Sequence, residues 1–230
     1  MTCYCIGRNY REHAAELNNP IPERPLVFTK PATAVVRDGK AVAYPSFSKD
    51  VHFETELVLR VSREARQVSE AEAWDYLDAL TLGLDLTARD LQAICKQKGH
   101  PWEVAKAWDG SAPIGTFVPI PEALKTKGLA FESWRAGSCL QRGQTSDMLF
   151  PIPALMAYLT AFFTLQPGDL IFTGTPAGVG PVQVGDRFRA YLWDSAVDVP
   201  LPADGPSAEG QTSTGEDAPG KQKLLDFEIR

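Results

Sequence analysis

The segment Val51-His52-Phe53-Glu54-Thr55-Glu56-Leu57 constrains this chain more than any other, because it sets two carboxylates two residues apart ahead of the strand-like run Val58-Leu59-Arg60-Val61. Side chains alternate along a strand, so Glu54 and Glu56 share one face while Phe53, Thr55 and Leu57 point the other way into apolar packing. Further on, Leu80-Thr81-Leu82-Gly83-Leu84-Asp85-Leu86 places a third carboxylate, Asp85, inside a second apolar run. An isolated buried ion is strongly disfavoured. Three carboxylates withdrawn from water together therefore call for a counter-charge, and an oxygen-preferring divalent cation, Mg2+ or Mn2+, meets that need. Two plainer readings also fit: an E-x-E pair on the solvated face of an antiparallel sheet, and an ion pair between Asp85 and Arg89, four residues on.

With 230 residues, 44% apolar and 10% aromatic, residues 1–230 suffice for one globular domain with a substantial core. A net charge of -6 without a cluster of Lys and Arg argues against nucleic acid or an anionic membrane as the partner. The longest apolar stretch, Ile152 to Leu165, contains Pro153, Tyr158, Thr160 and Thr164 and falls short of the roughly 18 residues of a membrane span, so it reads as a buried helix. Of the cysteines, Cys3, Cys5, Cys95 and Cys139, only Cys3-x-Cys5 is closely spaced, and without clustered histidines it makes a poor zinc site. The chain opens directly in strand-like sequence with no apolar signal region, which leads to an expectation of reduced cysteines and a cytoplasmic location.

A capping box of Ser69 with Glu72 predicts a helix running through Trp74, Leu77 and Leu80, followed by a strand carrying Asp85. A second helix is predicted over Ala88 to about Gln97, with Arg89 and Gln92 on one face, ended by Gly99 and Pro101. Ala136-Gly137-Ser138 reads as a turn, Ala154 to Thr164 as a helix, and Pro167-Gly168-Asp169 as a turn into the strand Leu170-Ile171-Phe172-Thr173. The segment 204–223, rich in Gly, Pro, Ser, Thr and acids, reads as a disordered loop inserted before a last strand, Leu224 to Arg230.

His13 and Glu16, three apart on a helical turn, lie on one face, so that Glu16 holds one imidazole nitrogen while the other takes a proton. An exposed helix contact is the plainer reading of that pair. Lys106 follows the largely apolar Trp102-Glu103-Val104-Ala105 and is either an electrostatic group of a site or a snorkelling lysine. Gly174-Thr175-Pro176-Ala177-Gly178-Val179-Gly180 lacks the Gly-Lys-Ser/Thr ending of a P-loop and the G-x-G-x-x-G order, and fits a tight turn after a buried strand. Arg8, Arg11 and Arg24 are candidates for a second substrate carboxylate. His100, before Pro101, reads as an exposed loop residue or a substrate contact.

Several of these pieces recur in one order: Cys5-Ile6-Gly7-Arg8-Asn9-Tyr10 with His13 and Glu16, Lys30-Pro31, Glu54-x-Glu56, Leu84-Asp85-Leu86-Thr87-Ala88-Arg89-Asp90, Pro101-Trp102 to Lys106, and Gly174-Thr175-Pro176 to Gly180. Together, from Cys5 to about Asp194, they resemble the fumarylacetoacetate hydrolase family, and within it the short acylpyruvase branch. The resemblance implies an α+β, mainly β fold, a mixed β-sandwich or β-roll with a few short helices, usually as a homodimer. It implies Mg2+ or Mn2+ held by Glu54, Glu56 and Asp85, the residues already singled out by charge and burial. His13 oriented by Glu16 then becomes the general base, on a segment able to act as a lid. Lys106 falls in the active site, with Gln92 a neutral donor on the face it shares with Arg89, itself a substrate-binding candidate like Arg8. Thr175 and the backbone at Gly174 are placed to bind a substrate carboxylate. The reaction expected is hydrolysis of a carbon-carbon bond in a small β-diketo acid, an acylpyruvate or fumarylpyruvate, giving pyruvate and a carboxylic acid. Oxaloacetate decarboxylation or keto-enol tautomerisation fits the same enolate chemistry, and a purely structural metal-binding module is the reading from another class. Residues 204–223 have no counterpart in the family pattern.

Overall fold

A strand whose successive residues are all apolar has to be covered on both faces, and Thr2–Gly7 is such a strand. Cys3 and Cys5 point to one side, where they pack with Ala34, Val58, Ala112, Ile114, Leu170 and Phe172. Tyr4 and Ile6 point to the other, into the larger core that also receives Leu57, Leu59 and Ile171. The computed structural model describes residues 1–37, 40–197 and 218–230. The main sheet runs, in spatial order, Leu26–Pro31, Thr2–Gly7, Leu170–Phe172, Thr55–Val61, Leu77–Leu84, Ala112–Ile114 and Val35–Arg37, with Val118–Pro119 paired to Leu77–Leu84. It is mixed: Thr2–Gly7 runs parallel to Leu170–Phe172, and Val35–Arg37 parallel to Ala112–Ile114.

A second, antiparallel sheet has the order Ser138–Gln144, Leu129–Arg135, Arg187–Asp194 and Gln222–Glu228. Its first hairpin turns at Ala136 and Gly137, with φ of 49° and 80°, the positive pair that a two-residue hairpin turn needs. Buried Glu132 ties this sheet to the chain's end by accepting hydrogen bonds from Trp134 Nε1 at 2.6 Å, from Arg142 and from Lys221. A small third sheet joins Gly180–Pro181, Val51–Phe53 and Thr87–Ala88. The mainly β, mixed architecture with short helices is the one expected.

Two features of register position the site. Thr55 pairs with Leu84 and Glu56 with Gly83 across antiparallel strands, so Glu54, where the strand from Val51 breaks, lies beside Asp85, whose N–H donates to the Glu54 carbonyl at 2.9 Å. The parallel pair Thr2–Gly7 and Leu170–Phe172 brings the following turns, Arg8-Asn9 and Thr173-Gly174-Thr175, together. Asn9 clamps them: its Nδ2 donates to the carbonyls of Thr173 (2.8 Å) and Phe150 (3.1 Å), and its Oδ1 accepts from Phe150 N–H (2.8 Å). Gly174 sits at φ +98°, where a Cβ would lie 2.6 Å from that of Asn9, so glycine alone fits.

Several expectations are corrected. The capping box at Ser69 forms, with Ser69 N–H donating to Glu72 at 3.2 Å, but the helix is a 3-10 turn over Glu70–Tyr76, and Leu77 and Leu80 belong to the strand Leu77–Leu84. Leu77, Leu80 and Leu84 fit helical spacing and also alternate well enough for a strand, and burial on both sheet faces decides it. The second helix, Arg89–Lys98, takes Ala88 as its N-cap and ends on left-handed Gly99. The apolar helix is Ile152–Phe162, two residues earlier than predicted, with Pro153 tolerated in its first turn. Thr55 does not face apolar packing. Its N–H donates to Gln141 Oε1 and its hydroxyl to Ser133 Oγ, both at 2.8 Å, linking the two larger sheets. The final strand begins at Gln222, so the predicted loop overran it, and residues 204–217 of that loop lie outside the described residues.

Replacement of Gly174 by alanine is expected to lower stability by about 1–3 kcal/mol through backbone strain and the clash with Asn9. Urea denaturation checks this, and a change within a few tenths of a kcal/mol would contradict the described turn.

Candidate metal centre and active site

Glu54, Glu56 and Asp85 are all buried, and one carboxylate oxygen from each lies within 4.8 Å of the others. The solvated-face reading of Glu54-x-Glu56 is therefore excluded. Asp85 does not pair with Arg89 either. Arg89 Nη2 reaches Glu54 Oε1 at 2.5 Å, its Nη1 donates to Gln92 Oε1 at 2.9 Å, and Asp85 takes two lysines instead. Lys106 Nζ bridges Asp85 Oδ2 (2.6 Å) and Glu54 Oε2 (2.9 Å), and Lys30 Nζ lies 2.8 Å from Asp85 Oδ1. Lys106 is 3% exposed, so it does not snorkel.

Burial pulls the Lys106 ammonium down, but Asp85 and Glu54 outweigh this and hold it above its ordinary range. Burial likewise pushes the Glu54 carboxyl up, yet Lys106 and Arg89 carry it well below the usual carboxylate range. Glu56 goes the other way: burial and the neighbouring charges of Asp85 and Glu54 raise it strongly, offset in part by the Gly174 N–H at 2.7 Å. Asp85 Oδ1 is met by Lys30 Nζ, an ammonium that it shares with Ser111 and the carbonyls of Leu86 and Lys106. A buried Glu56 that forms no ion pair among the described residues and an all-oxygen donor set together fit a hard divalent cation.

One cavity collects Glu54, Glu56 and Lys106 with most of the other predicted site residues. Arg8, His13, Glu54, Glu56, Arg89, Gln92, Lys106 and Thr175 line it, together with Lys96, Phe28 and Trp102. His13 is buried on the helix Arg11–Glu16, with Nδ1 at 3.3 Å from Glu16 Oε2, so the pair is not an exposed helix contact. Glu16 is held in turn by Gly178 N–H at 3.0 Å. Burial lowers the His13 pKa below the ordinary imidazole value, and attraction to Glu54 and the bond to Glu16 restore only part of the loss.

Other candidates are placed differently. Gly174 N–H is engaged by Glu56, so it orients a carboxylate and does not face a ligand. The Thr175 hydroxyl donates to the Thr55 carbonyl (2.9 Å) and accepts from Gln141 Nε2 (2.8 Å), so its own proton is not available to a substrate. Arg11, Arg24 and His100 are exposed and do not line the cavity. Lys30 and Gln141 had no predicted role, although Lys30 is the completely buried counter-ion of Asp85 and Gln141 joins Thr55, Thr175 and the Pro176 carbonyl. The pairing of Lys30 with Pro31 was the only sequence signal for the first, and nothing marked the second. All four cysteines are free, as expected.

Replacing Lys30 by methionine strips Asp85 of a buried partner and is expected to cost about 3–5 kcal/mol, part of it recovered by saturating Mg2+. Denaturation with and without Mg2+ measures both, and a loss below about 1 kcal/mol would show that Lys30 is not needed as a counter-ion.

Residues 2–203 match the family described as fumarylacetoacetate (FAA) hydrolase C-terminal. A Bos taurus protein named oxaloacetate tautomerase FAHD1, mitochondrial, is 41% identical over 188 residues, 82% of this chain and 85% of that protein. The Caenorhabditis elegans oxaloacetate tautomerase fahd-1, mitochondrial, is 41% identical over 190 residues, covering 83% and 89%. Among solved structures, fumarylpyruvate hydrolase from Pseudomonas aeruginosa in complex with Mn2+ and pyruvate superposes with a TM-score of 0.80 at 33% identity, over 100% of this chain and 89% of that one. No helix among the described residues is long and apolar enough to cross a membrane, and the relatives' mitochondrial names lend no support to a cytoplasmic location. The expectation of acylpyruvate hydrolysis is overturned by the same relatives, whose named activity is oxaloacetate tautomerisation. Fold, carboxylate triad and sequence together make this chain a member of the fumarylacetoacetate hydrolase family.

Proposed function

We propose that this chain interconverts the enol and keto forms of oxaloacetate. The observation that carries the reading is His13: a buried imidazole with a lowered pKa, bonded to Glu16, in the same cavity as Glu54 and Glu56 of the carboxylate triad and Lys106. Similarity to the two named tautomerases supports it.

A tautomerase moves one proton between C3 and the oxygen on C2. With Nδ1–H held by Glu16, His13 offers Nε2, neutral near pH 7, to accept the C3 proton. As that proton leaves, the electron pair of the C–H bond moves into the C2–C3 bond and negative charge grows on the C2 oxygen. Lys106, whose ammonium stays charged, and the guanidinium of Arg89 face that charge in a site where burial strengthens each interaction. The proton held on His13 is then given up to the oxygen, which completes the enol and returns the imidazole to its neutral form, and the reverse sequence regenerates the ketone. A Mg2+ or Mn2+ ion held by Glu54, Glu56 and Asp85 would supply further positive charge for the enolate as a Lewis acid. Tautomerisation breaks no carbon-carbon bond and so needs no hydrolytic nucleophile. Gln92, bonded to Arg89, keeps that guanidinium aligned.

The test follows the decay of enol-oxaloacetate absorbance with Mg2+ and with excess chelator. Catalysed, chelator-sensitive decay without pyruvate is expected; pyruvate formed at the same rate would mean decarboxylation instead. Replacing His13 by glutamine is expected to lower kcat by roughly 10²- to 10⁴-fold, and an unchanged kcat would remove His13 as the base. The wild-type rate should fall only below the ordinary imidazole pKa, because His13 must protonate to lose activity and its pKa is depressed. Replacing Glu16 by glutamine removes a contact that raises that pKa, so the acid limb should move to lower pH as kcat falls. Movement to higher pH would contradict the assignment.

A further inference from the structure

Four permanent cations line the cavity, and two of them have no carboxylate partner. Arg89 is engaged by Glu54, and Lys106 by Glu54 and Asp85. Arg8 and Lys96 are free of ion pairs with the described residues, while the cavity's own carboxylates, Glu54 and Glu56, are held within the triad. The Arg8 backbone adopts φ 58°, a left-handed conformation that costs a non-glycine residue energy, between Gly7 and the fully buried clamp Asn9. Lys96 lies one helical turn beyond Gln92 and two beyond Arg89, and all three line the cavity from one face of the helix Arg89–Lys98. Its Nζ lies 5.6 Å from the centre of the Trp102 ring, another cavity wall. Burial, then repulsion from Arg8 and Arg89, lowers the pKa of Lys96, and attraction to Glu54 offsets only part of this.

We propose that Arg8 and Lys96 form a subsite for the second carboxylate of the substrate and so make the enzyme select dicarboxylic over monocarboxylic 2-oxo acids. The triad end of the cavity takes the 2-oxo carboxylate whatever the rest of the molecule carries. A second carboxylate gains charge-assisted contacts from half-buried Arg8 and from Lys96, whose side chain lies at the exposed rim of the cavity, and a methyl group in its place forgoes both. The inference rests on the tautomerase reading for the identity of oxaloacetate, but not for the preference itself.

Calorimetric binding of (S)-malate and (S)-lactate to the Mg2+-loaded protein tests it, since the two 2-hydroxy acids differ in the second carboxylate. Wild type is expected to bind malate about tenfold or more tightly than lactate, as for one charge-assisted contact. Lys96→Met and Arg8→Met should each reduce that ratio several-fold, the pair should bring it near one, and Lys96→Arg should retain it. Lys98→Met, which removes the same charge from an exposed position outside the cavity, should leave the ratio as in wild type. No malate preference in wild type, a ratio unmoved by Lys96→Met and Arg8→Met, or an equal loss in Lys98→Met would each overturn the subsite. A ratio that depends on Lys96 in a protein that does not tautomerise oxaloacetate would keep the subsite and refute only the assigned reaction.

Discussion

The burial of three carboxylates at one end of adjacent antiparallel strands is the constraint on which the rest of this structure depends. Glu54, Glu56 and Asp85 cannot leave water without compensation, and the fold recruits compensation from four separate stretches of chain. Lys30 comes from the strand beside Thr2–Gly7, Arg89 from the helix after Asp85, Lys106 from the short helix Glu103–Lys106, and an amide from Gly174. Among the described residues these cations pair with Glu54 and Asp85 and leave Glu56 without an ion pair. That residual demand is what suits the site to a divalent ion.

The same arrangement explains why the proton-transfer group sits where it does. The parallel pairing of Thr2–Gly7 with Leu170–Phe172 joins the turn after each strand through Asn9. His13 and Glu16 follow that turn on a helix of six residues, too short to be stable alone. Glu16 bonded to Gly178 N–H holds the helix to the glycine-rich loop. Burial lowers the His13 pKa, while the same burial, outweighed by carboxylates, keeps Lys106 charged. One cavity thus holds an imidazole with a lowered pKa beside a lysine kept charged, which is the pairing the proposed enolisation uses.

The carboxylate triad was legible because it rests on periodicities the sequence displays directly: alternation at Glu54-x-Glu56 and an apolar run around Asp85. The His13 and Glu16 pair was legible from helical spacing. Lys30 was not, since Leu26–Pro31 is only half-buried along most of its length and its lysine is committed solely by contacts with residues 85 to 111. Gln141 lies in Ser138–Gln144, whose polar pattern reads as solvent-facing until Thr55 and Thr175 are brought against it. Thr175 and Gly174 marked the correct loop but the wrong donors, because backbone partners follow from tertiary placement. The reaction was misjudged for a different reason: hydrolysis and tautomerisation share the enolate and the residues around it, so motif order identified the family without separating the two.

Proton exchange at C3 of oxaloacetate in deuterated water, followed by NMR, tests the central claim most directly. Incorporation of deuterium at a single prochiral position in the presence of wild-type protein and Mg2+, and its loss when His13 is replaced by glutamine, is the predicted result. Exchange that is equally fast without His13, or pyruvate formed without prior exchange, would contradict a His13-driven enolisation.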